Sequence, residues 1–279
     1  MRQAGATIVS LCDRNPAAMT LELKKPAAAT TPIHAVDRAT FKALAPTLPP
    51  ATRQWLATVG FDGSPDSHAL LPDAHGKLAA VYAGVRDAAH PYALASLPKA
   101  LPVGRYRLGD AGLALDPFAA ALSWELGSYA FDAYKKTRRD TATLQLAPSE
   151  PAARGALIAA AVGATRDLVN TPAEHLGPAE LGATVRALAQ AHGARFKETV
   201  GDALLKAGFP AIHAVGRAAT RAPRLIELNW GDPKDPKLTL VGKGVCFDSG
   251  GLDIKSADGM RLMKKDMGGA ANAIGLATL

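Results

Sequence analysis

The stretch Leu240-Val-Gly-Lys-Gly-Val-Cys-Phe-Asp-Ser-Gly-Gly-Leu-Asp-Ile-Lys-Ser-Ala-Asp-Gly-Met-Arg-Leu-Met-Lys-Lys-Asp-Met-Gly-Gly-Ala-Ala271 carries most of what this sequence says about itself. It continues Lys237-Leu-Thr-Leu-Val-Gly, an apolar run rich in β-formers, so a strand is expected to run into glycine turns. Those turns are studded with ionisable groups: Lys243, Asp248, Asp253, Lys255, Asp258, Lys264, Lys265 and Asp266. Loops at the ends of strands are where sites sit in α/β sheets. Carboxylates there suit hard divalent cations, and a lysine amine can join them only once it has lost its proton. Spacing alone leaves two readings open, a metal site and a solvated, salt-bridged loop. A phosphate loop fits poorly, because Gly242-Lys-Gly lacks the G-x-x-x-x-G-K-[ST] order. None of the seven histidines forms an H-E-x-x-H pair, so a histidine-based zinc site has no support.

Upstream of this window, helix and strand patterns alternate. Pro178 to His192 and Ala203 to Lys206 read as helices, Arg224 to Trp230 as a strand, and Gly268 to Leu279 as a closing helix. Composition shifts at Ala147-Pro-Ser-Glu-Pro, where Ser149 suits an N-cap and Ala152 to Val169 an alanine-rich helix ending before Asn170-Thr-Pro. A domain boundary near residue 148 is therefore expected. Before it, Met19–Leu23, Ala79–Val85, Arg105–Leu108 and Thr141–Leu146 read as strands, while Asp37–Leu44 and the run from Ala119 to Phe131 have helical apolar spacing. Pro26 to Pro32 is the only low-complexity stretch. The fold class that follows is α/β, with the alternation of helix and strand beyond residue 148 arguing for a largely parallel sheet there.

Composition bounds the function. The chain has 279 residues, 48% of them apolar, enough for a real core in one large domain or two ordinary ones. Its two cysteines, Cys12 and Cys246, do not suggest a bridge, and a reducing compartment is the better expectation. The start lacks a basic-then-apolar secretory signal and no run approaches eighteen apolar residues, so the sequence reads as cytoplasmic and not membrane-spanning. Lys plus Arg number 32 against 25 Asp plus Glu, a net charge of +7. The positive residues cluster only at Lys135, Lys136, Arg138 and Arg139, and aromatics are only 5%, so a solvated basic surface is favoured over nucleic-acid binding.

The window as a whole resembles the leucyl aminopeptidase (cytosol aminopeptidase) family. That family's V-G-K-G-x-x-F-D-S-G-G-x-x-I-K and M-K-x-D-M-G-G-A motifs are matched by Val241 to Lys255 and by Met263 to Ala270, with their spacing. Thr165-Arg-Asp-Leu-Val-Asn-Thr-Pro-Ala and Ala214-Val-Gly-Arg followed by Pro223-Arg-Leu-Ile are similar as well.

The resemblance implies a variable N-terminal α/β domain over residues 1–148 and the first part of a catalytic peptidase domain over 149–279. It implies that Lys243 and Asp266 bind one metal ion, that Asp248 bridges it to a second, that Lys255 is catalytic, and that Met263 lines the substrate pocket. The implied cofactors are two divalent ions, Mn²⁺ or Zn²⁺, with bicarbonate as a further possibility in the full-length enzyme. The implied partners are a peptide substrate, with leucine-like N-terminal residues, and five further copies in a homo-hexamer. Cys246 stands where a threonine is usual, and Asp253 and Ser256 where Ser and Pro are common, which bears on specificity rather than on the ligand set. The sequence stops at Leu279, before the family's N-T-D-A-E-G-R segment with its further Asp, Glu and Arg, so a fragment that is inactive alone is expected. A non-catalytic nucleic-acid-binding role is the rival reading, and Asp253, Asp258, Lys264 and Lys265 are expected to be solvated.

Overall fold

The computed structural model describes residues 20–135 and 141–279. Cys12, Lys136, Arg138 and Arg139 lie outside the described residues. Two compact units are present, one running up to Ala160 and the other holding Ala161–Leu279. The division falls inside the long helix read from Ala152 to Val169.

In the first unit the strands are β1 (Leu21–Leu23), β2 (Thr31–Val36), β3 (His68–Pro72), β4 (Leu78–Gly84), β5 (Arg105–Leu108) and β6 (Thr143–Leu146). They form one sheet in the order β1-β6-β5-β2-β4-β3. All pairings are parallel except β3 with β4. The helices are α1 (Arg38–Leu44), α2 (Pro50–Thr58), α3 (Leu97–Ala100) and α4 (Pro117–Ser128). α1 starts where Asp37 accepts a 2.6 Å hydrogen bond from the Thr40 amide, and α4 where Asp116 accepts from the amides of Phe118 and Ala119. Ile33, Val81, Tyr106, Leu144 and Trp124 are all buried in one core, and Trp124 Nε1 donates to Thr20 O at 2.8 Å.

α5 (Glu150–Asn170) opens with the Ala152 amide donating to Ser149 Oγ, the cap expected there. In the second unit, α6 (Pro178–Ala191), β7 (Arg195–Val200), α7 (Ala203–Lys206), α8 (Pro210–Gly216), β8 (Arg224–Asn229), α9 (Ala257–Arg261) and α10 (Gly268–Ala277) follow in turn. β7 and β8 form an antiparallel pair. Leu168, Leu181, Val185, Leu188, Met267, Ala271 and Ile274 make the core, drawing on α5, α6 and α10. No helix among the described residues is long and apolar enough to cross a membrane.

The fold is thus mixed α/β with a largely parallel six-stranded sheet, and that sheet lies in the first unit, whereas beyond residue 148, where the alternation of helix and strand led to its expectation, the described strands β7 and β8 are antiparallel. One local expectation fails. Lys237 to Gly242 is not a strand. A strand needs a neighbour for its backbone amides and carbonyls, β8 pairs only with β7, and no other described strand lies beside this run. Leu238 and Val241 accordingly stand 86% and 88% exposed.

Candidate active site

The backbone of Lys243 is fixed by close approach to the start of α10. Ala270 N donates to Lys243 O at 2.9 Å. A Cβ at Gly242 would lie 2.5 Å from Ala270 Cα, and one at Gly269 would lie 2.9 Å from Lys243 N. Only glycine permits this contact, and overpacking it would cost about 1–3 kcal/mol. From that seat Lys243 Nζ reaches Asp266 Oδ1 at 2.5 Å. Asp266 itself ends a 3-10 turn, Met263–Lys265, where its amide donates to Met263 O at 2.9 Å.

The second cluster is built by the Asp-Ser-Gly-Gly turn. Gly250 and Gly251 take φ of +86° and +84°, a region that L side chains resist, and Gly250 N donates to Asp253 O. This folds the chain back so that Lys255 N donates to Ser249 Oγ at 3.1 Å. Lys255 Nζ then lies 2.5 Å from Asp248 Oδ1 and 3.6 Å from Met263 Sδ. The pairing with Asp248 holds the Lys255 amine above the usual lysine pKa; burial opposes the shift, and the carboxylates of Asp266 and Asp253 add to it.

Lys243, Asp248, Lys255, Met263 and Asp266 are therefore linked by direct contacts into two groups, Lys243 with Asp266 and Lys255 with Asp248 and Met263. Of the remaining charges of the window, Lys264 departs from the solvated place expected for it, being half-buried with Nζ 3.3 Å from Asn170 Oδ1. Asp258 faces Arg261 at 3.7 Å in an exposed pair, Asp253 accepts from the Ile254 amide, and Lys265 is exposed. Cys246 is buried, and burial pushes its thiol pKa up to about 11. Thr171 closes α5, its hydroxyl donating to Asp167 O at 2.7 Å. Sequence reasoning missed Ser249 and Gly242; the Asp-Ser-Gly-Gly turn and the Gly-Lys-Gly step were the available signals.

Asp248 Oδ1 is buried and makes no hydrogen bond of good geometry, the 2.5 Å ion pair notwithstanding, so an acceptor oxygen is left with unspent capacity. Hard cations take carboxylate oxygens, and an amine can join them when it gives up its proton. Asp248, Asp266 and Lys243 thus fit as a partial donor set. Among the described residues no group of three or more His, Cys, Asp or Glu is gathered closely enough to hold a metal ion without lysine.

Known proteins share this arrangement of sequence and fold. The profile of the M17 aminopeptidase N-terminal domain matches residues 31–147, and that of the cytosol aminopeptidase family, catalytic domain, matches residues 163–279. The chain belongs to the cytosol aminopeptidase family. A "Probable cytosol aminopeptidase" of Rhodococcus jostii is 38% identical over 182 residues, which cover 59% of this chain and 36% of the relative. One of Mycobacterium ulcerans is 42% identical over 171 residues, covering 55% of this chain and 33% of the relative. Among solved structures, cytosol aminopeptidase from Coxiella burnetii superposes with a TM-score of 0.85 at 42% identity, over 93% of this chain and 56% of that one. The bottromycin maturation enzyme BotP in complex with Mn matches with a TM-score of 0.72 at 29% identity, over 90% of this chain and 56% of that one. The matched stretches therefore span about a third of the length of these two curated relatives and just over half that of these two structures.

Proposed function

We propose that the protein is a metal-dependent aminopeptidase that removes leucine-like N-terminal residues from peptides by two-metal hydrolysis. The observation that carries this reading is the meeting of Lys243 with Asp266 and of Lys255 with Asp248, inside motifs that resemble those of the family. A relative solved with Mn supports the choice of metal, and Zn²⁺ is the other candidate. Lys243, Asp248 and Asp266 would hold the ions, whose Lewis acidity suits amide hydrolysis at neutral pH. Lys255, cationic beside Asp248, would donate toward the oxygen of the scissile carbonyl as negative charge develops there. Met263 would line the pocket for the substrate's first side chain. We further propose cytoplasmic residence, a homo-hexamer, bicarbonate as an accessory base, and a separate N-terminal domain over residues 1–148.

Two measurements test the reading. Hydrolysis of leucine p-nitroanilide by the whole protein should stop on exhaustive chelation and return with Mn²⁺ or Zn²⁺; full activity without metal would refute it. A purified chain of residues 1–279 should show no turnover, because three donors make only a partial set and Leu238, Val241 and Ile254 stand 84–88% exposed, favouring aggregation. Measurable turnover by that chain would show that the donors present here suffice.

A further inference from the structure

We propose that Lys264 is a positioning residue, anchoring the turn that carries Met263 and Asp266 to the C-terminus of α5. α5 is 21 residues long and has no basic residue in its last turn. The final carbonyls of a helix lack partners within it and carry the negative end of its dipole, so they attract a cation from elsewhere. Lys264, 94 positions along the chain, supplies one: Nζ lies 3.4 Å from Asn170 O and 3.3 Å from Asn170 Oδ1. The turn it belongs to, Met263–Lys265, is only three residues long. Its own bonds, Lys265 N to Leu262 O at 3.1 Å and Asp266 N to Met263 O at 2.9 Å, shape the turn but do not tie it to the rest of the unit. Yet this turn must hold Met263 Sδ against Lys255 and deliver Asp266 to Lys243. Lys265, in the same turn, is exposed and gives an internal control.

The anchor stands on these contacts alone; its effect on metal and catalysis rests on the peptidase reading. Hydrogen exchange of the metal-free protein over residues 262–267 tests the anchor. In Lys264→Met the turn should exchange about tenfold faster, corresponding to roughly 1.4 kcal/mol, while Lys264→Arg restores protection and Lys265→Met matches the wild type. Calorimetry with Mn²⁺ then tests positioning. Lys264→Met should bind Mn²⁺ about 10- to 100-fold more weakly, the range for groups that orient metal ligands, with Lys264→Arg near the wild type. Should Lys264→Met fail to fold, Lys264→Gln replaces it in both measurements. Unchanged exchange, or equal loosening in Lys265→Met, overturns the anchor. Faster exchange with unchanged Mn²⁺ affinity overturns the positioning role. A wild-type protein that binds no Mn²⁺ overturns the metal reading instead, and the exchange arms still decide the anchor.

Discussion

Lys255→Ala is expected to lower kcat by about 10² to 10³ while leaving metal content intact. The rate loss follows from the proposed role: a preorganised cation aimed at a developing oxyanion contributes about 3–4 kcal/mol, the scale seen when one such donor is removed. Retention of metal follows from the local charges. Lys255 Nζ sits 2.5 Å from Asp248 Oδ1, and that oxygen has no other hydrogen bond. Deleting a cation beside a carboxylate cannot make that carboxylate a worse ligand for a second cation; it removes a competitor. The substitution should act on kcat more than on KM, since the interaction strengthens toward the transition state. Metal analysis and steady-state kinetics on the same purified sample provide the check, and loss of metal in proportion to activity would mean that Lys255 is a ligand.

Parts of this structure could be read along the chain because the governing interactions are local. Arg105–Leu108 alternates as a strand should, Asp37 and Ser149 are caps whose bonds close within three residues, and Pro178 opens α6 as proline does at a first helical turn. Other parts depend on neighbours that no local pattern reveals. β2 sits in the middle of the sheet between β5 and β4, yet it begins within an Ala-, Thr- and Pro-rich stretch that reads as low complexity; Pro32 is tolerated because it lies near the start of the strand. Lys237 to Gly242 fails in the opposite sense, with strong β-formers and no partner strand to pair with.

The candidate site shows the same division. Its inventory of Asp, Lys and Gly is visible in the window, and resemblance to the family attaches roles to particular residues. The pairing is not visible. Lys243 meets Asp266 only because Gly242 and Gly269 let two backbones touch, and Lys255 meets Asp248 only because Gly250 and Gly251 adopt positive φ. Lys264 fills the specified lysine of the M-K-x-D motif and Lys265 its variable position, yet the motif does not reveal that Lys264 reaches Asn170 across 94 residues while Lys265 is left in solvent.

Lys243→Arg is expected to lose metal and activity together, the converse of Lys255→Ala. Lys243 Nζ already touches Asp266 Oδ1, and to serve as a ligand beside that carboxylate it must present a lone pair. A guanidinium keeps its proton at any usable pH and binds carboxylates through a planar fork, so arginine here would hold Asp266 for itself. Its charge would also oppose an incoming ion: a unit charge and a divalent ion about 4 Å apart repel by about 8 kcal/mol at an effective dielectric near 20, and half of that already lowers affinity roughly a thousandfold. Lys243→Met separates the two causes, because it deletes the lone pair without leaving a charge. It should weaken metal binding less than arginine does. Titration of Mn²⁺ into both variants and the wild type measures the difference. Wild-type affinity in Lys243→Arg would remove Lys243 from the ligand set, and equal losses in both variants would show that the missing amine, rather than the added charge, accounts for the effect.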